Sequence, residues 1–356
     1  MIKDNRNNNF NILRFVASMM VVLGHMSHLI GVEVNIFLGQ AVSTIAVKIF
    51  FLISGYLIAN SFINDSNIIR YAIRRFFRII PGLIGVVFFA LFIVGPIFTT
   101  LSIKEYFTSS ITWSYLKNIV LYIQYFLPGV FESNPYPNAI NGSLWTLPVE
   151  VMMYFFVPIL FLVFRKLNRI KVVAVLAIIT ELLCLFFGYI KPGSYFVIYG
   201  TDIISSLSII PYFFVGIIFT SKKIRKYLNL QLATGLICIL EMVNISSLKA
   251  EIALFIVLPY FVFSFAFTEN PLFVKCFSKN DFSYGIYLYG FVIQQVIVEV
   301  LFDYQLSLNI YFIICGVVSI LFGMLSWYLI EKPAQSIAKK ILKSEKIRNL
   351  KKYAIS

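Results

Sequence analysis

The sequence has few charged residues for its length. Of its 356 residues, 13% are charged and 60% are hydrophobic, whereas soluble domains contain about 25% charged and about 45–50% apolar residues. Apolar runs long enough to cross a bilayer recur from one end of the chain to the other. The scarcity of charge therefore argues against an ordinary soluble domain and indicates a polytopic membrane protein.

Metal ligands and paired cysteines are also scarce. The chain has 2 histidines and 4 cysteines, with no CxxC spacing, no HExxH motif and no cluster of cysteine with histidine. We therefore predict that the protein requires no metal. Because three of the cysteines lie in apolar segments, we interpret them as buried free thiols. The four cysteines are Cys184, Cys238, Cys276 and Cys315.

A small-residue cleavage site is missing after the first apolar segment. That segment follows a basic start with Lys3 and Arg6 and could otherwise be taken for a signal peptide. We expect it to remain as the first transmembrane span of an all-α bundle with about ten transmembrane helices. The predicted spans are roughly 11–31, 38–62, 79–99, 145–164, 172–190, 203–220, 229–246, 251–268, 284–303 and 308–330.

The net charge of +14 comes mainly from short basic clusters between the apolar runs. With the N-terminus inside, the predicted cytoplasmic segments hold 25 of the 30 lysines and arginines, and the predicted outer segments hold 4. Membrane topology explains this asymmetry, because cytoplasmic loops carry an excess of lysine and arginine. The basic clusters therefore do not indicate nucleic-acid binding. The same asymmetry predicts that both termini are cytoplasmic. We predict a membrane domain over 1–335 and a basic cytoplasmic tail over 336–356 that lies against anionic lipid.

Residues 115–130 form an eleventh apolar stretch, interrupted by Gln124, Pro128 and Gly129. The orientation of the flanking spans requires an even number of crossings here. A re-entrant or interfacial segment therefore fits better than a lone span. The polar loop that follows, FESNPYPNAINGS (131–143), is a candidate lid or substrate-facing surface.

The first span contains Arg14 and His25 within an otherwise apolar sequence. Eleven residues separate them, so on a helix they point the same way and lie about 16 Å apart. Ionisable side chains in a membrane helix are costly unless they face protein or water, and this makes the pair a functional hypothesis. At that distance the two cannot form a catalytic dyad.

A basic cluster runs into the third span as RYAIRRFFRIIP (70–81). Arg74 and Arg75 lie four and three residues before Arg78, so at least two guanidinium groups share a helix face. Paired arginines suit phosphate, because the planar guanidinium makes bidentate, charge-assisted contacts. Anchoring of the loop on the positive side of the membrane is the alternative explanation.

Other polar groups lie within the predicted spans. Glu150 is a carboxylate that needs a partner or a proton when it is buried. Ser54 and Gly55 either let two helices approach closely or line a channel. Tyr284 opens a tyrosine-rich stretch that an aromatic belt at the membrane surface would also explain.

These groups together suggest a transferase. A histidine is the usual general base for activating a hydroxyl, and the arginines suggest a phosphate-bearing donor. Pumps and transporters also use buried histidine, glutamate and arginine. A proton-coupled transporter or flippase of a glycan or anion, with Arg14, His25 and Glu150 as its relay, is therefore the alternative. A second alternative is that the protein is a purely structural partner in a polysaccharide assembly complex.

Six motifs in order make the chain resemble acyltransferase family 3, the integral-membrane acyltransferases that modify bacterial surface sugars. Each motif is weak alone, but six in register over 13–334 are specific. In chain order they are LRFVASMMVVLGH (13–25), VKIFFLISGYLI (47–58), RRFFRIIP (74–81), NGSLWTLPVEVMMY (141–154), SYGIYLYG (283–290) and WYLIEKPA (327–334).

The resemblance implies a ten-span fold in the bacterial cytoplasmic membrane. It implies transfer of an acetyl or other short acyl group from cytoplasmic acyl-CoA, usually acetyl-CoA, to a hydroxyl of a cell-surface polysaccharide or its lipid-linked precursor. His25 and Glu150 would be catalytic, and Arg14, Arg75 and Arg78 would bind the acyl-CoA. The residues expected to bind substrate are Ser143, Trp145, Ser54 and Tyr284.

The sequence departs from the family pattern in three ways. Lys48 stands where the second motif often has an acidic residue, and Gly290 stands where the tyrosine-rich motif often ends in histidine. We therefore assign no role to an acidic charge or to a second histidine at these positions. The chain also has no esterase-like domain of the kind fused to some members, so we expect it to complete the transfer alone, as a homo-oligomer or with glycan-assembly partners.

Overall fold

The computed structural model describes residues 8–33, 36–243, 247–268 and 280–353, with the backbone alone at 247 and 345–353. Most of this part of the chain is helical. Its named strands form two small hairpins, one pairing Ile36–Phe37 with Gln40–Ala41 and one pairing Val197–Ile198 with Thr201–Asp202. The predicted all-α class is confirmed.

Each predicted span coincides with a helix, and an eleventh long helix follows the last span. In chain order these helices are α1 (Phe10–Leu29), α2 (Val42–Asn64), α3 (Ile68–Phe89), α4 (Thr146–Val163), α5 (Arg169–Leu185), α6 (Ile210–Ile218), α7 (Leu230–Met242), α8 (Ser247–Ala266), α9 (Ser283–Leu301), α10 (Leu308–Ser326) and α11 (Lys332–Tyr353).

In the described residues, eight helical segments are long and apolar enough to cross a bilayer. Two further apolar helices, Ile203–Ile218 and Leu230–Met242, are shorter than a usual span. The protein is therefore a multi-pass membrane protein. That ten helices cross the bilayer and that both termini are cytoplasmic stay predictions.

Asparagine caps mark the starts of three helices that follow basic or polar loops. The side chains of Asn67, Asn168 and Asn229 accept hydrogen bonds from the first-turn backbone of α3, α5 and α7 respectively. Such caps satisfy amide groups that have no partner within the helix. Helix α3 begins at Ile68, whereas the predicted span begins at 79, so all the arginines of RYAIRRFFRIIP (70–81) lie on this helix.

Helices α2 and α6 cross with almost no space between their backbones. A Cβ atom added at Gly55 would lie 2.0 Å from the carbonyl oxygen of Phe213, and one added at Gly216 would lie 2.2 Å from that of Leu52. Close approach of this kind requires small residues on both helices. The Ser54-Gly55 pair thus serves helix packing through its glycine.

Lys48 is fully buried and ion-paired. Its Nζ atom donates to Glu251 Oε1 at 2.6 Å and to Gln40 Oε1 at 2.7 Å, and Tyr212 donates to the same carboxylate at 3.1 Å. A buried ammonium is tolerated when it is paired and hydrogen-bonded. The lysine that departs from the family pattern therefore joins α2, α6 and α8 and the first hairpin.

Residues 115–130 contain no long helix. A short 3-10 helix spans Tyr115–Val120, and the chain then runs irregularly to Val130, which pairs with Thr99 in an isolated bridge. The loop that follows lies against α9, where the Gln295 side chain donates to the carbonyls of Tyr136 at 2.9 Å and Ala139 at 2.7 Å.

The cysteines fit the prediction only in part. Cys184, Cys238 and Cys315 are free thiols, and Cys276 lies outside the described residues. Cys315 is buried and Cys184 half-buried, but Cys238 is exposed on α7, so the expectation of a buried thiol is wrong there. An apolar helix in a membrane protein can present a cysteine to lipid, and sequence hydrophobicity does not distinguish lipid from protein interior.

Candidate active site

One cavity of about 450 Å³ lies at the end of the bundle where α1 and α3 begin and α2 ends. We call this the basic end. The cavity is bordered by α1, α2, α3, α4, α9 and α11. Its polar lining residues are Arg14, Ser54, Arg74, Arg75, Arg78, Thr146, Glu150, Tyr154, Tyr284, Tyr287, Gln335 and Lys339.

Six of the nine predicted site residues meet in this cavity. They come from five separate helices that are far apart in the sequence. The six are Arg14 on α1, Ser54 on α2, Arg75 and Arg78 on α3, Glu150 on α4 and Tyr284 on α9.

Glu150 is the carboxylate of the cavity lining. Its Oε1 atom accepts hydrogen bonds from Ser54 Oγ at 3.0 Å and from the Tyr154 hydroxyl at 2.5 Å. Tyr154 is four residues further along α4, so the pair shares one helix face. These contacts orient a carboxylate toward the interior of the cavity, where it can accept a proton or position a substrate.

Asp281 holds two of the predicted arginines. It precedes α9 and accepts from Arg14 Nη1 and, at 2.8 Å, from Arg78 Nη2. Burial opposes ionisation of Asp281, but the two guanidinium groups outweigh it and lower its pKa to about 2. Arg78 also lies 3.6 Å from a Glu331 oxygen. Arg14 and Arg78 are therefore largely neutralised by the protein itself.

Arg75 and Arg74 have different surroundings. Arg75 lies 5.8 Å from the ring centres of both Tyr71 and Tyr154, and in the described residues it forms no ion pair. Arg74 donates to Asp65 Oδ2 at 2.8 Å. Hydrogen bonding by Arg70, more than that by Arg74, holds the pKa of Asp65 well below its usual range. Of the α3 arginines that line the cavity, Arg75 is therefore the one available to bind an external anion.

His25 does not line the cavity. It lies eleven residues beyond Arg14 on α1, and its ring packs edge-on against Phe291 with 5.2 Å between ring centres. The His25 Nδ1 atom is buried and has no hydrogen-bond partner within the described residues. A nitrogen in this condition is available to a substrate proton.

Two aromatic residues of α9, one turn apart, connect the cavity lining with the surroundings of His25. Tyr287 lines the cavity, and its hydroxyl donates to the Ser143 carbonyl at 2.7 Å and contacts the Thr146 hydroxyl at 2.5 Å. One turn further along α9, Phe291 packs on His25 and lies against Gly142, where a Cβ atom would be 2.7 Å from the ring. We call Tyr287 and Phe291 the partition.

Ser143 and Trp145 also lie outside the cavity lining. Ser143 is buried, its hydroxyl has no partner in the described residues, and its carbonyl anchors the partition through Tyr287. Trp145 is half-buried against the core. Of the same motif, Thr146, Leu147 and Tyr154 line the cavity beside Glu150, and the sequence singled out none of the three.

Several site residues were missed by reasoning from sequence. Asp281 and Glu331 are the partners of the arginines, and Tyr154, Gln335 and Lys339 complete the lining. Asp281 and Glu331 stand next to or within recognised motifs, which was the available signal. In the described part of the chain, no group of three or more His, Cys, Asp or Glu side chains is placed to hold a metal.

Fold and site together define a multi-pass membrane protein with a cationic cavity at one end of its bundle. A profile of the family described as "Acyltransferase domain" matches residues 7–328. The chain belongs to this acyltransferase family. No solved structure matches it.

Two relatives are similar over nearly their whole length. One is the O-acetyl transferase of Shigella phage Sf6, 28% identical over 92% of this chain and 96% of the relative. The other is Nodulation protein 10 of Rhizobium leguminosarum bv. viciae, 28% identical over 93% of this chain and 94% of the relative. A third relative, the Peptidoglycan O-acetyltransferase OatA of Listeria monocytogenes, is 31% identical over a shorter region. That region covers 34% of this chain and 20% of the relative.

Proposed function

We propose that the protein moves an acetyl group from cytoplasmic acetyl-CoA to a hydroxyl of a cell-surface polysaccharide or of its lipid-linked precursor. The observation that carries the proposal is the cavity, which joins four arginines at the basic end to the Ser54–Glu150–Tyr154 group inside. The acyltransferase family and the O-acetyl transferase relative support acyl transfer and favour acetyl as the group.

The donor would enter from the basic end. The positive-inside rule favours a cytoplasmic location for this end, and acyl-CoA is found in the cytoplasm. Guanidinium groups favour phosphate, so the nucleotide part of CoA would stay near Arg75, while the pantetheine arm would extend past Glu150 toward Thr146 and Tyr287. The arm is long enough to span the distance of about 16 Å from the level of Arg14 to that of His25.

The acceptor would approach from the opposite end of the bundle, where the 131–143 loop lies. His25 would take the proton of the sugar hydroxyl, whose oxygen attacks the thioester carbonyl carbon. The carbon–sulfur bond then breaks, and the CoA thiolate leaves and is protonated. Transfer through an acyl group held on the enzyme gives the same products. In either route Tyr287 or Phe291 must move aside so that the thioester meets His25.

Acceptor-dependent release of CoA tests the proposal. Membranes containing the protein and the cell's own glycan should release free CoA from acetyl-CoA, and membranes stripped of the glycan should release little. A transporter or flippase would move its cargo without any release of CoA. The purified protein should retain the reaction, whereas a purely structural partner would not.

A further inference from the structure

The cations that line the cavity are not equally available to a ligand. Arg14 and Arg78 share Asp281, Arg78 also faces Glu331, and Arg74 is paired with Asp65. Arg75 and Lys339 line the same cavity and, within the described residues, neither has a carboxylate partner. An anionic ligand is therefore attracted most strongly by these two side chains, because no carboxylate neutralises their charges.

Lys339 belongs to α11, and from the sequence we predicted that it lies in a basic tail against anionic lipid. The structure continues α10 into α11 through a π-helical turn at Trp327–Glu331, and α11 packs along α3. Gln335, Ala338, Lys339 and Leu342 line the cavity. Their spacing of three and four residues is that of one helix face, so this face forms a wall of the cavity.

Lys339 occupies the outer part of that wall. It lies eight residues beyond Glu331, or about 12 Å further along the helix axis, and its side chain is exposed. Arg75 is only partly exposed and sits between the rings of Tyr71 and Tyr154. The two free cations thus differ in depth, with Lys339 nearer to solvent.

We propose that Lys339 binds the 3′-phosphate of the CoA donor; the inference rests on the proposed function. The thioester must reach inward past Glu150, so the ribose end of CoA remains at the mouth. The 3′-phosphate hangs from that ribose, farther from the thioester than the diphosphate is. The outermost phosphate therefore pairs with the outermost free cation, and the diphosphate lies nearer to Arg75.

A cycle of two donors and two enzymes tests this assignment. The donors are acetyl-CoA and acetyl-3′-dephospho-CoA, and the enzymes are the wild type and Lys339→Gln. We expect the wild type to prefer acetyl-CoA in kcat/KM by about three- to tenfold, the size of a charge-assisted contact at a partly exposed site. Lys339→Gln should show no preference, mainly through a raised KM for acetyl-CoA.

Lys340→Gln is the matched control. It removes the same charge from the neighbouring position of α11, and Lys340 does not line the cavity. It should keep the wild-type preference, and Lys339→Arg should keep most of it. If Lys339→Gln folds poorly, Lys339→Met, which removes the charge but keeps an unbranched side chain suited to a helix, takes its place in the same cycle.

Three results would overturn the assignment: a wild type indifferent to the 3′-phosphate, an undiminished preference in Lys339→Gln, or an equal loss in Lys340→Gln. The last result would mean general electrostatic attraction along α11. A wild type that transfers acetyl from neither donor would instead contradict the proposed function.

Discussion

Arg14 lines the cavity, and His25, eleven residues further along the same helix, lies beyond its inner end against Phe291. The two side chains lie on one helix but in different parts of the candidate site. A donor bound at the basic end and an acceptor arriving at the other end would meet at the partition formed by Tyr287 and Phe291. We therefore propose that the Arg14 end of α1 borders the donor site and that His25 takes part in the chemical step.

Substitution of His25 should stop transfer without weakening donor binding. His25→Ala and His25→Gln each remove the proposed base, so kcat should fall by about 10²- to 10⁴-fold, with an unchanged Kd for acetyl-CoA. Steady-state transfer and equilibrium binding of radiolabelled acetyl-CoA measure the two quantities. His28→Ala is the control, since His28 is exposed on the next turn of α1. A wild-type rate in His25→Ala would rule out His25 as the base.

Loss of the Glu150 carboxylate should reduce turnover. Glu150→Gln keeps the size of the side chain but removes the charge that Ser54 and Tyr154 orient, and we expect kcat/KM to fall by roughly 10²-fold. Tyr154→Phe removes one of the two hydrogen bonds and should cost less. Glu299→Gln, on α9 and outside the cavity lining, should behave as wild type in the same assay. An equal loss there would point to a general effect of removing a carboxylate from the helices.

The link from Arg14 through Asp281 to Arg78 should contribute stability that depends on pH. The pKa of Asp281 in the folded protein is about 2, below its ordinary value of 3.8. The contribution is therefore fully present above pH 4 and is lost as the pH falls toward 2. Asp281→Asn removes the carboxylate partner of Arg14 and leaves Arg78 only its longer contact with Glu331. It should destabilise the protein by about 3 kcal/mol at pH 7.

Thermal unfolding in detergent at a series of pH values measures this effect. The difference in Tm between wild type and Asp281→Asn should be constant from pH 7 to about pH 5 and shrink in more acidic buffer. Asp303→Asn, in the short 3-10 helix after α9, is the control and should shift Tm little at any pH. A difference that grows on acidification would show that the sign of the Asp281 contribution is opposite to that assigned here.

Gln295 should affect the acceptor side alone. It is fully buried, donates to the carbonyls of Tyr136 and Ala139, and accepts from Asn134 Nδ2 at 2.8 Å. Tyr136 also packs on Phe291, with 6.4 Å between ring centres. Gln295→Leu breaks these contacts and should raise the KM for the acceptor several-fold while the KM for acetyl-CoA stays unchanged. Equal changes in both constants would mean that Gln295 only supports the fold.

The helices could be predicted from the sequence because apolar length alone identifies a transmembrane candidate. The convergence of Arg14, Arg75, Arg78 and Glu150 followed from the resemblance to a family, since nothing in their spacing shows that α1, α3 and α4 meet. The predicted third span begins at 79 although α3 begins at Ile68, because hydropathy reports the apolar part of a helix and not its polar first turns.

Contacts between residues that are far apart in the chain could not be predicted from the sequence. The Lys48–Glu251 contact joins residues 203 positions apart, and one lysine in an apolar segment has many candidate partners. Lys339 looks like every other lysine of the basic tail until α11 is placed against α3. The partition was hidden for the same reason: Phe291 is one apolar residue among many, and only packing puts it on His25.

A transfer path across the membrane can be tested by supplying the donor on one side only. Inverted membrane vesicles, with their cytoplasmic face outward, are given radiolabelled acetyl-CoA, and label is followed in the glycan enclosed within them. We predict label in the enclosed glycan and free CoA outside, with neither product in vesicles containing His25→Ala. Transfer only to glycan on the same side as acetyl-CoA would contradict a path that runs from the arginines to His25.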